Sequence, residues 1–326
     1  MVDRRAFIKT LSGLTASAIL QEQAFGGKIK EQEDRLGKIM TQRPLGDTGE
    51  GLTVLCLGGY HYAAAGEIEA QRTIEAALEG GIRFFDCAAE YQEGGSERFY
   101  GKFLTPKYRD ISFLMTKSSQ KTAEGVRKEL EDSLRRMNTD YLDLWQIHAI
   151  DSPEDVENRL GNGVLDEFLK AKEEGKVRHI GFTGHRRPAA HLKMLEMTAD
   201  TQPFSTCQMP MNLVDPHYSS FIEQVLPKLV ERKISPLAMK TMSFGNFFGE
   251  RGQKPIIPEV ITVEQALHFV WSLPVTSIVS GNRDVEELQE KINAWKTFEE
   301  LSEDDREKLL TKTADHAGTY MENYKA

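Results

Sequence analysis

From about Arg43 onward, short apolar runs alternate with longer stretches in which apolar residues return every three or four positions. Side chains alternate faces along a strand and return to one face of a helix every 3.6 residues, so the short runs predict strands and the longer ones amphipathic helices. Eight runs read as strands: 54–57, 82–86, 111–116, 141–147, 179–183, 205–208, 234–239 and 277–279. Helices are predicted over 70–79, 122–137, 164–174, 189–197, 221–231, 262–271 and 285–295, with a charged C-terminal helix over 302–321. Gly80-Gly81 and Gly175 stand where helices should end and the chain turn back. Several strand runs are apolar on both faces, as a parallel sheet walled by helices requires.

Eight strand-helix units without a Pro/Gly/Ser-rich linker fit one closed (β/α)8 TIM barrel of the α/β class. An open doubly wound sheet is the competitor, but it would usually carry GxGxxG after its first strand, and Leu57-Gly58-Gly59-Tyr60-His61 lacks that spacing. The turn-rich segment 43–49 predicts a small hairpin closing the barrel bottom. The expected organisation is an export signal and linker over 1–27, then a single domain over 28–326 with its barrel core at about 43–300.

A chain of 326 residues that is 40% hydrophobic can bury a large core, so no staple is needed. A net charge of −9 argues against nucleic acid and anionic membranes as partners, which leaves a small molecule. Cys56, Cys87 and Cys207 lie far apart without a CxxC pair, so neither a disulfide framework nor a metal centre is expected. Near the start, Arg4-Arg5-Ala6-Phe7-Ile8-Lys9 precedes an uncharged run, Thr10 to Leu20, much shorter than the ~20 residues a bilayer span needs. The order resembles a twin-arginine export signal. It implies passage of the folded protein through the twin-arginine machinery to the periplasm or cell envelope, with a soluble mature form; a basic tail on a cytoplasmic protein is the plainer alternative.

Several predicted strands end in an ionisable residue: Asp86 after Phe84-Phe85, Lys117 after Leu114-Met115-Thr116, and His148 after Gln146-Ile147. Barrel strand ends converge on the face where active sites form, and Tyr91 follows Asp86 closely enough to hang over the same centre. Together they make a proton-delivery set for a carbonyl. Lys117 is expected to lower the Tyr91 phenol pKa, Asp86 to hold Lys117 charged, and His148 to orient the substrate oxygen. Taken one at a time, each has a bland reading as cap, lid or solvated terminus. Tyr60, His61 and Tyr62, Trp145, and Phe244, Phe247 and Phe248 are candidates to wall an apolar substrate pocket, and the segment 243–258 to fold over a bound cofactor.

The segments FDCAAEY at 85–91, MTK at 115–117 and DLWQIH at 143–148 resemble the tetrad segments of the aldo/keto reductases in order and spacing. The resemblance implies Tyr91 as general acid, Lys117 and Asp86 as its tuning pair and His148 as the substrate-orienting residue. It also implies that Thr183 and Gln208 meet the nicotinamide carboxamide, with Gly184 where that family often has asparagine, and with Met239 and Lys240 where a stacking aromatic is common. Ser280, Gly281, Asn282, Arg283 and Glu287 resemble the pyrophosphate and adenosine segment, a turn at a helix N-terminus that suits an anion. The implied cofactor is NADP, with NAD also accommodated, and the implied reaction is reduction of an aldehyde, ketone or sugar-type carbonyl or oxidation of the alcohol. Two other readings are open: a sugar dehydrogenase or epimerase with tightly held cofactor, and a cofactor-sensing partner protein without turnover.

Overall fold

Strands that are apolar on both faces need cover on both sides, and here the sheet provides one side itself by closing on its own edge. The structure, a computed structural model, describes residues 32–326; the expected export signal lies outside the described residues. Two antiparallel pairs come first, β1 (Glu33–Asp34) with β2 (Gly37–Lys38) and β3 (Gln42–Pro44) with β4 (Gly51–Thr53). The barrel follows in chain order: β5 (Leu55–Gly58), β6 (Phe84–Asp86), β7 (Phe113–Ser118), β8 (Leu142–Ile147), β9 (Val177–Thr183), β10 (Thr206–Pro210), β11 (Ser235–Met239) and β12 (Ser277–Gly281). Neighbours pair in parallel and β12 closes onto β5. All eight strands lie where the hydrophobic pattern puts them, with ends shifted by a residue or two.

Leu45 and Leu52, from the β3–β4 hairpin, pack against Cys56, Phe84, Met115, Leu144, Leu237 and Val279 inside the barrel. Each buried aliphatic or aromatic side chain contributes roughly 1.5–3 kcal/mol. This plug fills the N-terminal end of the barrel and leaves the C-terminal strand ends to build a site. Trp145 points the other way, from β8 into the helix layer, where its ring stacks on Phe168 at 3.6 Å.

Local signals set the helix starts. Thr262 and Gln265 form a reciprocal capping box for the helix Val263–Trp271, and Asp284 accepts from the Glu287 amide at 2.8 Å to begin the helix Val285–Lys296. Two expectations are corrected. The helix predicted over 221–231 is two pieces, Phe221–Gln224 and Leu226–Glu231, because Pro227 has no amide to continue the ladder. The C-terminal helix is Glu303–Thr313 rather than 302–321; Gly318, at φ 114, then turns the tail back. There the Lys325 ammonium sits fully buried, 2.7 Å from Asp215 and 2.9 Å from Glu322. No helix among the described residues is long and apolar enough to cross a membrane.

Candidate active site

Asp86 closes β6 and Lys117 lies near the end of neighbouring β7; both are buried. The ammonium of Lys117 donates to Asp86 Oδ1, to the Cys87 carbonyl at 2.5 Å and to the Tyr91 hydroxyl at 3.4 Å. Tyr91 reaches this pair because a short turn, Tyr91–Gly94, brings the chain back over the strand ends, with Gln92 and Glu93 at positive φ. Burial works against the Lys117 charge, yet Asp86 and Tyr91 more than compensate, so its pKa stands above the usual lysine value. The expected lowering of Tyr91 is not found. Burial raises its phenol pKa well above the ordinary value, and Lys117, already committed to Asp86 and the Cys87 carbonyl, offsets only part of that.

His148 follows β8, with its ring centroid 5.9 Å from that of Tyr91 and 6.4 Å from that of His185. Burial lowers its pKa, opposed by Glu90, whose Oε1 lies 3.1 Å from Nδ1. Beside this centre opens a cavity lined by Tyr60, His61, Asp86, Tyr91, His185 and Gln208 at one end. Met239, Lys240, Ser280, Gly281, Arg283 and Glu287 continue the lining toward the helix Val285–Lys296. Tyr60, His61 and Phe244 form an aromatic cover, with Tyr60 edge-on to Tyr91 at 5.3 Å.

A nicotinamide dinucleotide suits the polar atoms left over in this cavity. Gln208 Oε1 and His61 Nδ1 are buried without a hydrogen-bond partner. Gln208, in the middle of β10, is the cross-strand partner of Thr183 at the end of β9; Gln208 lines the cavity and Thr183 is buried beside it. Burial, with help from Lys117 and Arg251, lowers Lys240 to about 8; among the described residues its ammonium has no carboxylate partner and sits 4.0 Å over the Phe244 ring. His61, desolvated and near Lys240 and Lys291, falls to about 4 and is therefore neutral at pH 7. Gly281 lies under the His61 ring, where an added Cβ would come within 2.1 Å of Nδ1, so backbone and ring approach as only glycine allows. Lys240 and the glycine-lined turn after β12 form a surface suited to phosphate, whereas the amides at the start of the helix Val285–Lys296 are already held by Glu69, Asp284 and Glu287.

Other expected residues are elsewhere. Trp145 faces the helix layer, Phe247 is buried in the core and Tyr62 turns inward toward the Ser96 hydroxyl at 3.4 Å, so none lines the cavity; Phe244 and Phe248 do. Asn282 is buried, bonded to the Ser280 carbonyl and to Lys291 at 2.7 Å, which makes it a brace for the turn. Gly184 has no room for asparagine, since an added Cβ would lie 2.4 Å from the Ile150 carbonyl oxygen. Arg283 is also not free, because it pairs with both Glu287 and Glu250, at 2.8 Å to the latter.

Four ionisable lining residues were not among the residues named from the sequence. His185 stands two residues beyond β9, a polar residue past a strand end that could have been flagged; Lys291 and Glu290 lie well inside a helix and Glu250 in a loop, where spacing gives no sign. The loop Ser243–Phe248 is held from behind by the C-terminal tail, since Ser243 Oγ and Asn246 Nδ2 both donate to the Met321 carbonyl, at 2.7 and 2.6 Å.

Comparison with known proteins gives a consistent picture. A protein solved from Bacillus halodurans, an aldo-keto reductase in its holo form, superposes with a TM-score of 0.72 over 88% of this chain and 100% of its own, at 20% identity. The chain is 30% identical over 212 residues to the aldo-keto reductase YhdN of Bacillus subtilis, a match covering 61% of this chain and 60% of that protein. It is 26% identical to the L-galactose dehydrogenase of Arabidopsis thaliana over 80% of this chain and 90% of that one. To the 6-dehydroglucose reductase of Novosphingobium aromaticivorans it is 33% identical, over 49% of this chain and 58% of the relative. The chain thus spans about three fifths of YhdN and of that reductase. The model of the aldo/keto reductase family matches residues 54–309, the whole barrel from β5 through the helix after β12 and into the C-terminal helix, and the chain belongs to that family.

Proposed function

We propose that the protein is a nicotinamide-dependent oxidoreductase that interconverts a carbonyl and its alcohol, with Tyr91 as proton donor in the reductive direction. The observation that carries this reading is the buried chain Asp86–Lys117–Tyr91 beside a cavity with an unpartnered Gln208 Oε1. A bound nicotinamide supplies or accepts the hydride. Gln208 offers a polar atom for its carboxamide, with Thr183 behind it as the cross-strand neighbour, and Lys240, Ser280 and Gly281 offer charge and amides for its phosphates. Negative charge then develops on the carbonyl oxygen, which His148 and Tyr91 hydrogen-bond. An alkoxide is a much stronger base than a phenolate, so Tyr91 delivers its proton downhill even with its pKa raised by burial. Lys117 steadies the phenolate left behind, and Asp86 keeps Lys117 charged and in place.

A sugar-type polyhydroxy carbonyl fits the hydrogen-bonding groups around the reacting centre, Tyr60, His61 and His185, and two relatives are named for sugar substrates. NADP(H) with little discrimination against NAD(H) is the cofactor reading. The paired arginines, Arg4-Arg5, support export of the folded protein by the twin-arginine route. A wholly cytoplasmic, uncleaved parent protein in cell fractionation would sink that last point. The main test is turnover of an aldehyde, ketone and sugar panel with NADPH and NADH. Tyr91→Phe should lose roughly 10²–10⁴-fold in rate at unchanged cofactor affinity. A variant within about twofold of the parent rate would remove Tyr91 from the role.

A further inference from the structure

Glu90 precedes Tyr91, and its side chain is half-exposed. Its Oε1 lies 3.1 Å from Nδ1 of the buried His148, within ion-pair distance though not aligned as a hydrogen bond, and Nδ1 has no hydrogen-bond partner among the described residues. The His148 imidazole beside it holds the Glu90 carboxyl down at about 2, so it is an anion across the useful pH range. An ionised carboxylate can only accept. A carboxylate this close to Nδ1 favours a proton there whichever charge His148 carries, which leaves Nε2 to titrate.

We propose that Glu90 is the positioning residue for His148, locking its Nδ1–H tautomer and setting which way Nε2 hydrogen-bonds the substrate. Neutral His148 presents Nε2 as an acceptor, which suits the hydroxyl of an alcohol substrate. Protonated His148 presents Nε2–H as a donor, which suits a carbonyl oxygen and the alkoxide it becomes. Glu90 thereby couples the charge of one imidazole to the preferred direction of the reaction. Reduction is favoured below the His148 pKa and oxidation above it.

The surroundings give Glu90 this influence. The groups facing the ring are Lys117 and Asp86 from β7 and β6, Tyr91 from the same loop as Glu90, and His185 from beyond β9. Lys117 and Asp86 are paired with each other, and Tyr91 and His185 are neutral at pH 7. Arg159 approaches only the His148 carbonyl, at 3.1 Å, and its charge is taken by Asp155. Glu90 is thus the one facing charge among the described residues that is not already matched by another side chain.

The tautomer can be read without turnover, from ¹⁵N and ¹H shifts of histidine-labelled protein. The parent should show His148 protonated at Nδ1 when neutral, and Glu90→Ala should shift it toward the Nε2–H form. Glu90→Gln keeps the shape and removes the charge, so the His148 midpoint should move down by about one unit, the low end expected for a neighbouring charge at a half-exposed site. At a pH above the parent midpoint the reductive kcat should then fall about tenfold, with the oxidative kcat unchanged or higher. Glu90→Asp should restore part of the parent profile. If the tautomer and midpoint in Glu90→Ala and Glu90→Gln match the parent, the proposal is wrong. The effect on turnover rests on the carbonyl oxidoreductase reading, whereas the tautomer does not. A locked tautomer in a protein that turns over no carbonyl would sink that reading and leave this one standing; a free tautomer in an active enzyme would do the reverse.

Discussion

Charge at the far end of the cavity gives a quantitative expectation for cofactor choice. On the proposed reading, a 2′-phosphate meets Arg283 at the cavity rim, and a charge-assisted contact of that kind is worth about 1.5–3 kcal/mol. Its guanidinium is already shared between Glu287 and Glu250, and its side chain is 57% exposed. A phosphate docking on the open side of the guanidinium stands about 6 Å from each carboxylate, where unit charges in a water-like dielectric repel by ~0.7 kcal/mol. With ~1.5–2 charges on the phosphate, each carboxylate costs ~1 kcal/mol and the two together ~2 kcal/mol. The terms nearly cancel, so NADPH and NADH should bind within about fivefold of each other at low salt. Glu287→Gln keeps an acceptor for the Arg283 amide, which Glu287 holds at 2.9 Å. It removes one repulsion and should tighten NADPH about fivefold while leaving NADH alone. Arg283→Ala leaves both carboxylates bare and should weaken NADPH selectively. Titration of tryptophan fluorescence with each cofactor gives the dissociation constants, and 0.5 M salt should compress the differences. If Glu287→Gln shifts both cofactors equally, or neither, the 2′-phosphate does not meet this rim and the assignment of the turn fails.

Three further outcomes follow from buried groups. Lys240 and Lys291, both lowered to about 8 and neither paired with a carboxylate among the described residues, carry positive charge in the cavity below that pH and lose it above, so dinucleotide affinity should decline as pH rises through 8. Lys240→Arg, charged throughout, should remove the Lys240 share of the decline and leave that of Lys291, which binding titrations from pH 6.5 to 9.5 can check. Lys325→Met strands the Asp215 and Glu322 carboxylates, fully buried, and should cost about 3–5 kcal/mol; a calorimetric midpoint within 2 °C of the parent, as a rough threshold, contradicts it. Gly184→Ala drives a Cβ to within 2.4 Å of the Ile150 carbonyl and should destabilise by about 1–3 kcal/mol, measured by urea unfolding.

The sequence by itself determined the barrel and named most of the ionisable residues that gather at the C-terminal ends of its strands. Strand and helix periods are local properties of the chain, so the eight runs, their order and the residues at or near the ends of β6 and β7 could be read directly, and the order of Asp86, Tyr91, Lys117 and His148 was enough for a family resemblance. Periodicity says which residues share a face, but not which face an aromatic near a strand end takes. Trp145 and Phe247 therefore looked like pocket walls and are core. Charge partners are a matter of distance across the fold. Arg283 and Glu250 are 33 positions apart and Asp215 and Lys325 are 110 apart, yet each pair meets within 3 Å. Only the tertiary structure decided that Arg283 is neutralised, that Lys240 is not, and that burial outweighs Lys117 at the Tyr91 phenol. Desolvation and Coulomb terms depend on the three-dimensional surroundings of a group, which no spacing along the chain encodes.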